Sequence, residues 1–344
     1  YSLRRRTAGQ YLVERVKRIL IPLYTVGMFV LVVPQDYFQA FTDGRTTEAF
    51  WQWLPSYYLG LQARVFLFKD YRDPVNLVPY TFSGHLWFLQ LLFVILLVTL
   101  PLFLYLKSER GQRLTDRLAQ WSARPGGIFL FVIPLAIFQI GLGWLPRTTD
   151  RTWADFFWYT CFFVIGYIIA TDDRFTQSIK RHGWACLVLW IVLCVGVGGL
   201  FTFVLDLDIS AGQGFSALFA VGQIVFSLVT FSAVIFLMSL GAKYLGFTNG
   251  FLTYSNEAVL PFFLFHQTII QIVGWFVLPM EIGNLAQFLI IAVVSFPLIL
   301  ILYELFVRRI GFMRFLFGMV PQKKHPTAAK EDTTSKSKQQ SLTQ

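Results

Sequence analysis

Eight stretches of this chain are apolar over a length that crosses a bilayer, and they leave little else to fold. They run over Ile19–Tyr37, His85–Leu106, Gly127–Leu145, Trp153–Ala170, Gly183–Leu205, Phe215–Leu240, Glu257–Met280 and Leu285–Val307. A spanning helix needs about 20 mostly apolar residues, and the third and fourth stretches sit at the short end of that range. Composition agrees: 56% of the 344 residues are hydrophobic and 14% are charged, against about 25% charge in a soluble domain. So few charges cannot cover the apolar surface left over in water, whereas a bilayer removes the problem. The expected fold is therefore all-α, a polytopic integral membrane helical bundle spanning residues 1–320 in the lipid bilayer. Residues 321–344 are rich in Lys, Gln, Ser and Thr and are expected to be a disordered polar tail.

The loop charges give the bundle a direction. With the N-terminus in the cytoplasm, 23 of the 29 Lys and Arg residues fall on the cytoplasmic side. Only Arg45, Arg64, Lys69, Arg72, Arg147 and Arg151 fall outside. Cationic loops stay inside, and an even number of spans returns the basic C-terminal segment to the same side. The expected topology has both ends cytoplasmic, in the plasma or inner membrane of the cell. The one long external segment, 38–84, carries Trp51, Trp53, Tyr57, Tyr58, Tyr71 and Tyr80, side chains that favour the headgroup region. Phe50–Leu61 within it reads as an interfacial helix.

Several function classes drop out. The net charge of +10 is placed by topology, and no basic face alternates with exposed aromatics, so nucleic acid is not an expected partner. Cys161, Cys186 and Cys194 lie in or beside apolar runs without paired ligand spacing, which argues against a disulfide framework or a zinc site. No Gly-rich phosphate loop, nucleophile elbow or zinc-protease helix is present, and no metal or bound cofactor is expected.

Polar groups at membrane depth carry what chemistry remains. His266 stands about nine residues into its span, with Gln267, Thr268 and Gln271 nearby. It reads as a cavity-lining base or substrate ligand, or else as a helix–helix hydrogen bond. His85 opens its span before Trp87, with Gln90 five residues deeper. An interfacial histidine beside an aromatic belt explains it equally well. Glu304 stands four residues before Arg308, and such spacing on a helix suits an ion pair at the interface. Arg15, Lys17 and Arg18 precede Pro22 at the mouth of the first span. They serve as a topology signal, and planar guanidinium groups also suit phosphate.

Three passages in order resemble the bacterial acyltransferase family 3 membrane proteins, the sugar and glucan O-acyltransferases. They are Arg15, Arg18 and Pro22 entering a span; Gly84–His85–Leu86–Trp87–Phe88–Leu89; and Phe265–His266–Gln267. Phe162–Gly166 is similar to the family's short Phe-rich helix. The resemblance touches nearly the whole chain. It implies a helical membrane enzyme that takes an acyl group, commonly acetyl from acetyl-CoA on the cytoplasmic side, and passes it to a hydroxyl of a glycan or lipid-linked sugar. The acyl-CoA is a donor substrate, not a resident cofactor. His85 and His266 would then be catalytic. Arg15, Arg18, Trp87, Gln90 and Gln267 would bind substrate, with the two arginines near the anionic donor. The family has about ten spans and an Arg and a His about ten residues apart on the first. This chain opens where the third span would begin and holds no such pair, so the two preceding spans and the principal catalytic histidine are expected upstream of Tyr1.

A transporter or flippase for a glycolipid or small polar solute is the competing expectation, with Gln139, Gln223, Gln267 and Gln271 lining its path. A silent scaffold is a third.

Overall fold

The computed structural model describes residues 7–60, 84–144, 152–199 and 215–319. The polar tail, the far end of the fifth stretch and external residues 61–83 lie outside the described residues. Among the described residues every regular element is helical. In chain order these are α1 (Ala8–Thr42), α2 (Phe50–Gly60), α3 (Trp87–Lys107), α4 (Glu109–Ser122), α5 (Gly127–Leu142), α6 (Trp153–Ile169), α7 (Asp173–Gly196), α8 (Ala217–Tyr244), α9 (Gly250–Val277), α10 (Asn284–Val307) and α11 (Gly311–Leu316). Six of them, α1, α3 and α7 to α10, are long and apolar enough to cross a membrane. The shorter α5 and α6 make up the eight. The 17 residues of α6 rise about 25 Å at 1.5 Å each, somewhat under the ~30 Å of a hydrocarbon core. The chain is a polytopic helical membrane bundle.

The helices overrun the apolar stretches mainly at their N-terminal ends. α1 begins at Ala8, not Ile19; α7 at Asp173, not Gly183; α9 at Gly250, not Glu257. Hydropathy marks where apolar character starts, whereas each helix runs on through a polar turn closed by a side-chain cap. Thr7 caps α1, Asp172 caps α7 and Asn249 caps α9, each accepting from a backbone N–H of the first turn, which satisfies donors that a helix start leaves open.

The middle of α1 departs from α-helical register. Residues Leu23–Leu31 follow the wider π register and return to α at Val32. Pro34 has no N–H to give back along the helix. Carbonyls on this stretch are therefore taken up by side chains: Tyr57 Oη donates to Met28 O at 2.7 Å, and Tyr58 Oη to Phe29 O at 2.9 Å. These bonds fasten α2 against α1, with Val33, Trp53 and Tyr57 forming a small buried cluster between them. The helix expected at Phe50–Leu61 is present as α2, Phe50–Gly60.

One apolar core runs through α1, α3, α6, α9 and α10, with Leu23, Leu86, Leu264 and Tyr303 fully buried. α10 sits at the rim: only 11% of its apolar window is buried, and Leu285, Phe288 and Val293 are more than 60% exposed. Such a surface is tolerated only against lipid. At its C-terminal end Arg308 pairs with Glu304 at 3.0 Å, the ion pair expected from their spacing. Arg314 adds a 2.6 Å bond to Glu257.

Candidate acyl-transfer site

The bundle brings His85 and His266 together. Their ring centroids are 5.2 Å apart and their planes nearly perpendicular, at 89°. His85 lies in a single 3-10 turn, Gly84–Leu86, that precedes α3. Leu86 beside it is fully buried and anchors the turn. His266 stands on α9, where Phe263 packs against both imidazoles, at 5.9 Å from His85 and 5.4 Å from His266. Both histidines are half-buried.

The two rings are held differently. His266 Nδ1 is 2.6 Å from the carbonyl oxygen of Phe263. A carbonyl only accepts, so Nδ1 carries the proton and the Nε2 lone pair is left over. His85 is bonded on both sides. Its Nε2 is 3.2 Å from Leu264 O, and its Nδ1 meets the side-chain amide of Gln35, 3.0 Å from Nε2 and 3.1 Å from Oε1. Gln35 Nε2 also reaches Thr268 Oγ1 at 2.7 Å and Leu31 O at 3.1 Å. The Thr268 hydroxyl in turn donates to Leu31 O at 2.6 Å. Gln35 and Thr268 are 5% and 3% exposed, so this network is closed to solvent.

Sequence reasoning missed Gln35. Its signal was a Gln and an Asp directly after Pro34, four residues past the last turn of the π segment. Polar groups at that point can reach carbonyls that a register change leaves free.

The other expected site residues are spread out. Trp87 packs its ring against Tyr159 at 5.9 Å. Gln90 is 1% exposed, donates to Tyr24 Oη at 3.4 Å, and its Oε1 has no partner among the described residues. Gln267 is half-buried and takes no part in the histidine network. Arg15 stacks over the Tyr11 ring at 4.9 Å, and Arg18 pairs with Glu14 at 3.3 Å. Both lie near the start of α1, roughly 25–30 Å along the helix from Gln35. The structure therefore unites the two histidines and leaves the two arginines at the opposite end of the span.

An apolar groove between α9 and α10 joins the levels. Its cavity of about 700 Å³ is lined by Phe251, Tyr254, Phe262, Phe296 and Leu300, with His266 at one end. Tyr254 is near the N-terminal end of α9 and His266 twelve residues on, about 18 Å along the axis.

The acyltransferase domain model of acyltransferase family 3 matches residues 1–304. The glucans biosynthesis protein C of Salmonella schwarzengrund is 23% identical over 332 residues, covering 92% of this chain and 77% of that protein. The proteins of the same name from Salmonella dublin and Salmonella enteritidis match with the same identity and coverage. No solved structure matches the chain. A family model extending over most of the sequence, on a helical bundle that pairs the two motif histidines, places this chain in the acyltransferase 3 family.

Proposed function

We propose that the chain is a membrane-bound O-acyltransferase that moves an acyl group, expected to be acetyl, from acyl-CoA to a hydroxyl of a glycan or lipid-linked sugar at the cell membrane. The observation that carries the reading is the 2.6 Å contact of His266 Nδ1 with Phe263 O. Donation from Nδ1 to Phe263 O at 2.6 Å leaves Nε2 as a lone-pair base at the end of an apolar groove. An imidazole with a free lone pair suits general-base work. In the step itself, His266 Nε2 takes the proton of the acceptor hydroxyl as its oxygen bonds to the thioester carbonyl carbon. The carbon–sulfur bond then breaks, and the departing thiolate takes the proton back. The products are an ester and free CoA.

The groove supports a donor that enters from the cytoplasmic side, because its walls suit an apolar acyl portion. Arg15 and Arg18 lie at the same end of α1, where a phosphate-bearing donor would approach, and cytoplasmic placement of both chain ends follows the loop charges. The test is the full-length protein in proteoliposomes with acyl-CoA and a glucan acceptor. Ester formation matched by CoA release supports the reading. Movement of a glycolipid or solute without any acyl-CoA would replace it with transport.

A further inference from the structure

The hydrogen-bond chain around His85 runs between two backbone carbonyls, and for a neutral ring those ends orient the groups between them. Leu31 O can only accept, so the Thr268 hydroxyl donates to it at 2.6 Å. Thr268 Oγ1 therefore accepts from Gln35 Nε2 at 2.7 Å. The 3.1 Å contact from Gln35 Nε2 to Leu31 O confirms which amide atom faces this side, since an amide oxygen would repel a carbonyl. Gln35 presents both amide atoms to His85 Nδ1, Nε2 at 3.0 Å and Oε1 at 3.1 Å; a neutral ring that donates from Nε2 to a carbonyl can only accept at Nδ1, so it takes the second hydrogen of Gln35 Nε2. His85 then carries its proton on Nε2 and donates it to Leu264 O at 3.2 Å. Both ring nitrogens of a neutral His85 are then partnered.

We propose that Gln35 is a positioning residue for the histidine pair. Its amide holds His85 as the neutral Nε2–H tautomer with both ring nitrogens occupied. His266 is then the member of the pair with a free lone pair. In this arrangement His85 fixes the place of His266 by edge-to-face packing at 5.2 Å and does not compete for the acceptor's proton. Gln35 stands on α1, His85 before α3 and Thr268 on α9, so one amide ties together the three elements that build the site. The kinetic consequence rests on His266 being the base; the tautomer does not.

The experiment uses the full-length protein in nanodiscs, labelled with ¹⁵N-histidine, the His85 signals being identified by their loss in His85→Asn. At neutral pH the wild type is expected to show His85 as the Nε2–H tautomer. Gln35→Glu is nearly isosteric and, as the carboxylate paired with a protonated His85, can only accept, so a proton is expected on Nδ1 of His85. Gln35→Met offers neither bond and is expected to lower kcat about 10²-fold with KM changed less than about 2-fold, the signature of lost positioning. Gln35→Glu is expected to fail to restore kcat although it keeps the shape. A wild-type His85 protonated on Nδ1, a tautomer unmoved by Gln35→Glu, or wild-type kcat in Gln35→Met would each overturn the proposal. The expected tautomer in a protein that transfers no acyl group would sink the acyltransferase reading and leave this assignment standing.

Discussion

Gly183 on α7 lies so close to α8 that any side chain there must move a helix. A methyl group at this position would sit 2.1 Å from Ser239 Oγ and 2.5 Å from Ser239 Cβ. The hydroxyl could turn away, but Cβ is fixed to its backbone. Ordinary contact begins at 3.4 Å, so Gly183→Ala must push the helices apart by about 0.9 Å at their crossing. The neighbourhood has no slack: Cys186, Phe231, Ile235 and Ser239 are each 2% exposed or less. Overpacking of this kind costs about 1–3 kcal/mol, at a close helix approach of the sort that membrane bundles build from small residues. Thermal unfolding in detergent should show Gly183→Ala below the wild type by several degrees. Adding Ser239→Ala removes the hydroxyl and leaves the Cβ clash, so most of the loss should persist. Adding Ser239→Gly removes both, and stability should return to within the ~1 kcal/mol that a glycine at position 239 of the helix costs. A wild-type Gly183→Ala, or rescue by Ser239→Ala as complete as by Ser239→Gly, would refute the packing argument.

Other perturbations separate the parts of the fold. Tyr57→Phe removes the bond to Met28 O and should cost about 1 kcal/mol, read as lower unfolding temperature and faster proteolysis in α2. Arg314→Met strips a 7% exposed guanidinium from Glu257 and should cost about 1–3 kcal/mol; Arg308 Nε remains 3.8 Å away, which keeps the loss below that of a fully orphaned charge. Asp172 accepts from the Arg174 guanidinium, which holds its carboxyl below the usual range. The stabilisation is thus present above about pH 3.9, the ordinary Asp value, and is lost as pH falls through the lowered native value. Wild type and Asp172→Asn should therefore differ in unfolding temperature at neutral pH and converge in strong acid; a constant difference would contradict the pairing.

The membrane bundle was legible because apolar length is a one-dimensional property. Glu304 and Arg308 were legible for a similar reason, as residues four apart on one helix meet without help from the rest of the fold. His85 and His266 were each visible as polar groups in apolar runs, but their meeting depends on how α3 and α9 cross, which no local pattern encodes. Gln35 was hidden because it sits where the span was expected to end, and its role comes from a change of helical register. Arg15 and Arg18 stand a full span from the imidazoles, near the start of α1, where the sequence reading puts the approach of an anionic donor.

The central claim is that His266 is the base, and its free Nε2 beside an open groove makes the claim directly measurable. His266→Ala in the full-length protein should lower single-turnover acyl transfer by about 10²–10⁴-fold. Added imidazole, small enough for the cavity of about 700 Å³, should restore part of the rate. Transfer at the wild-type rate in His266→Ala would contradict the account.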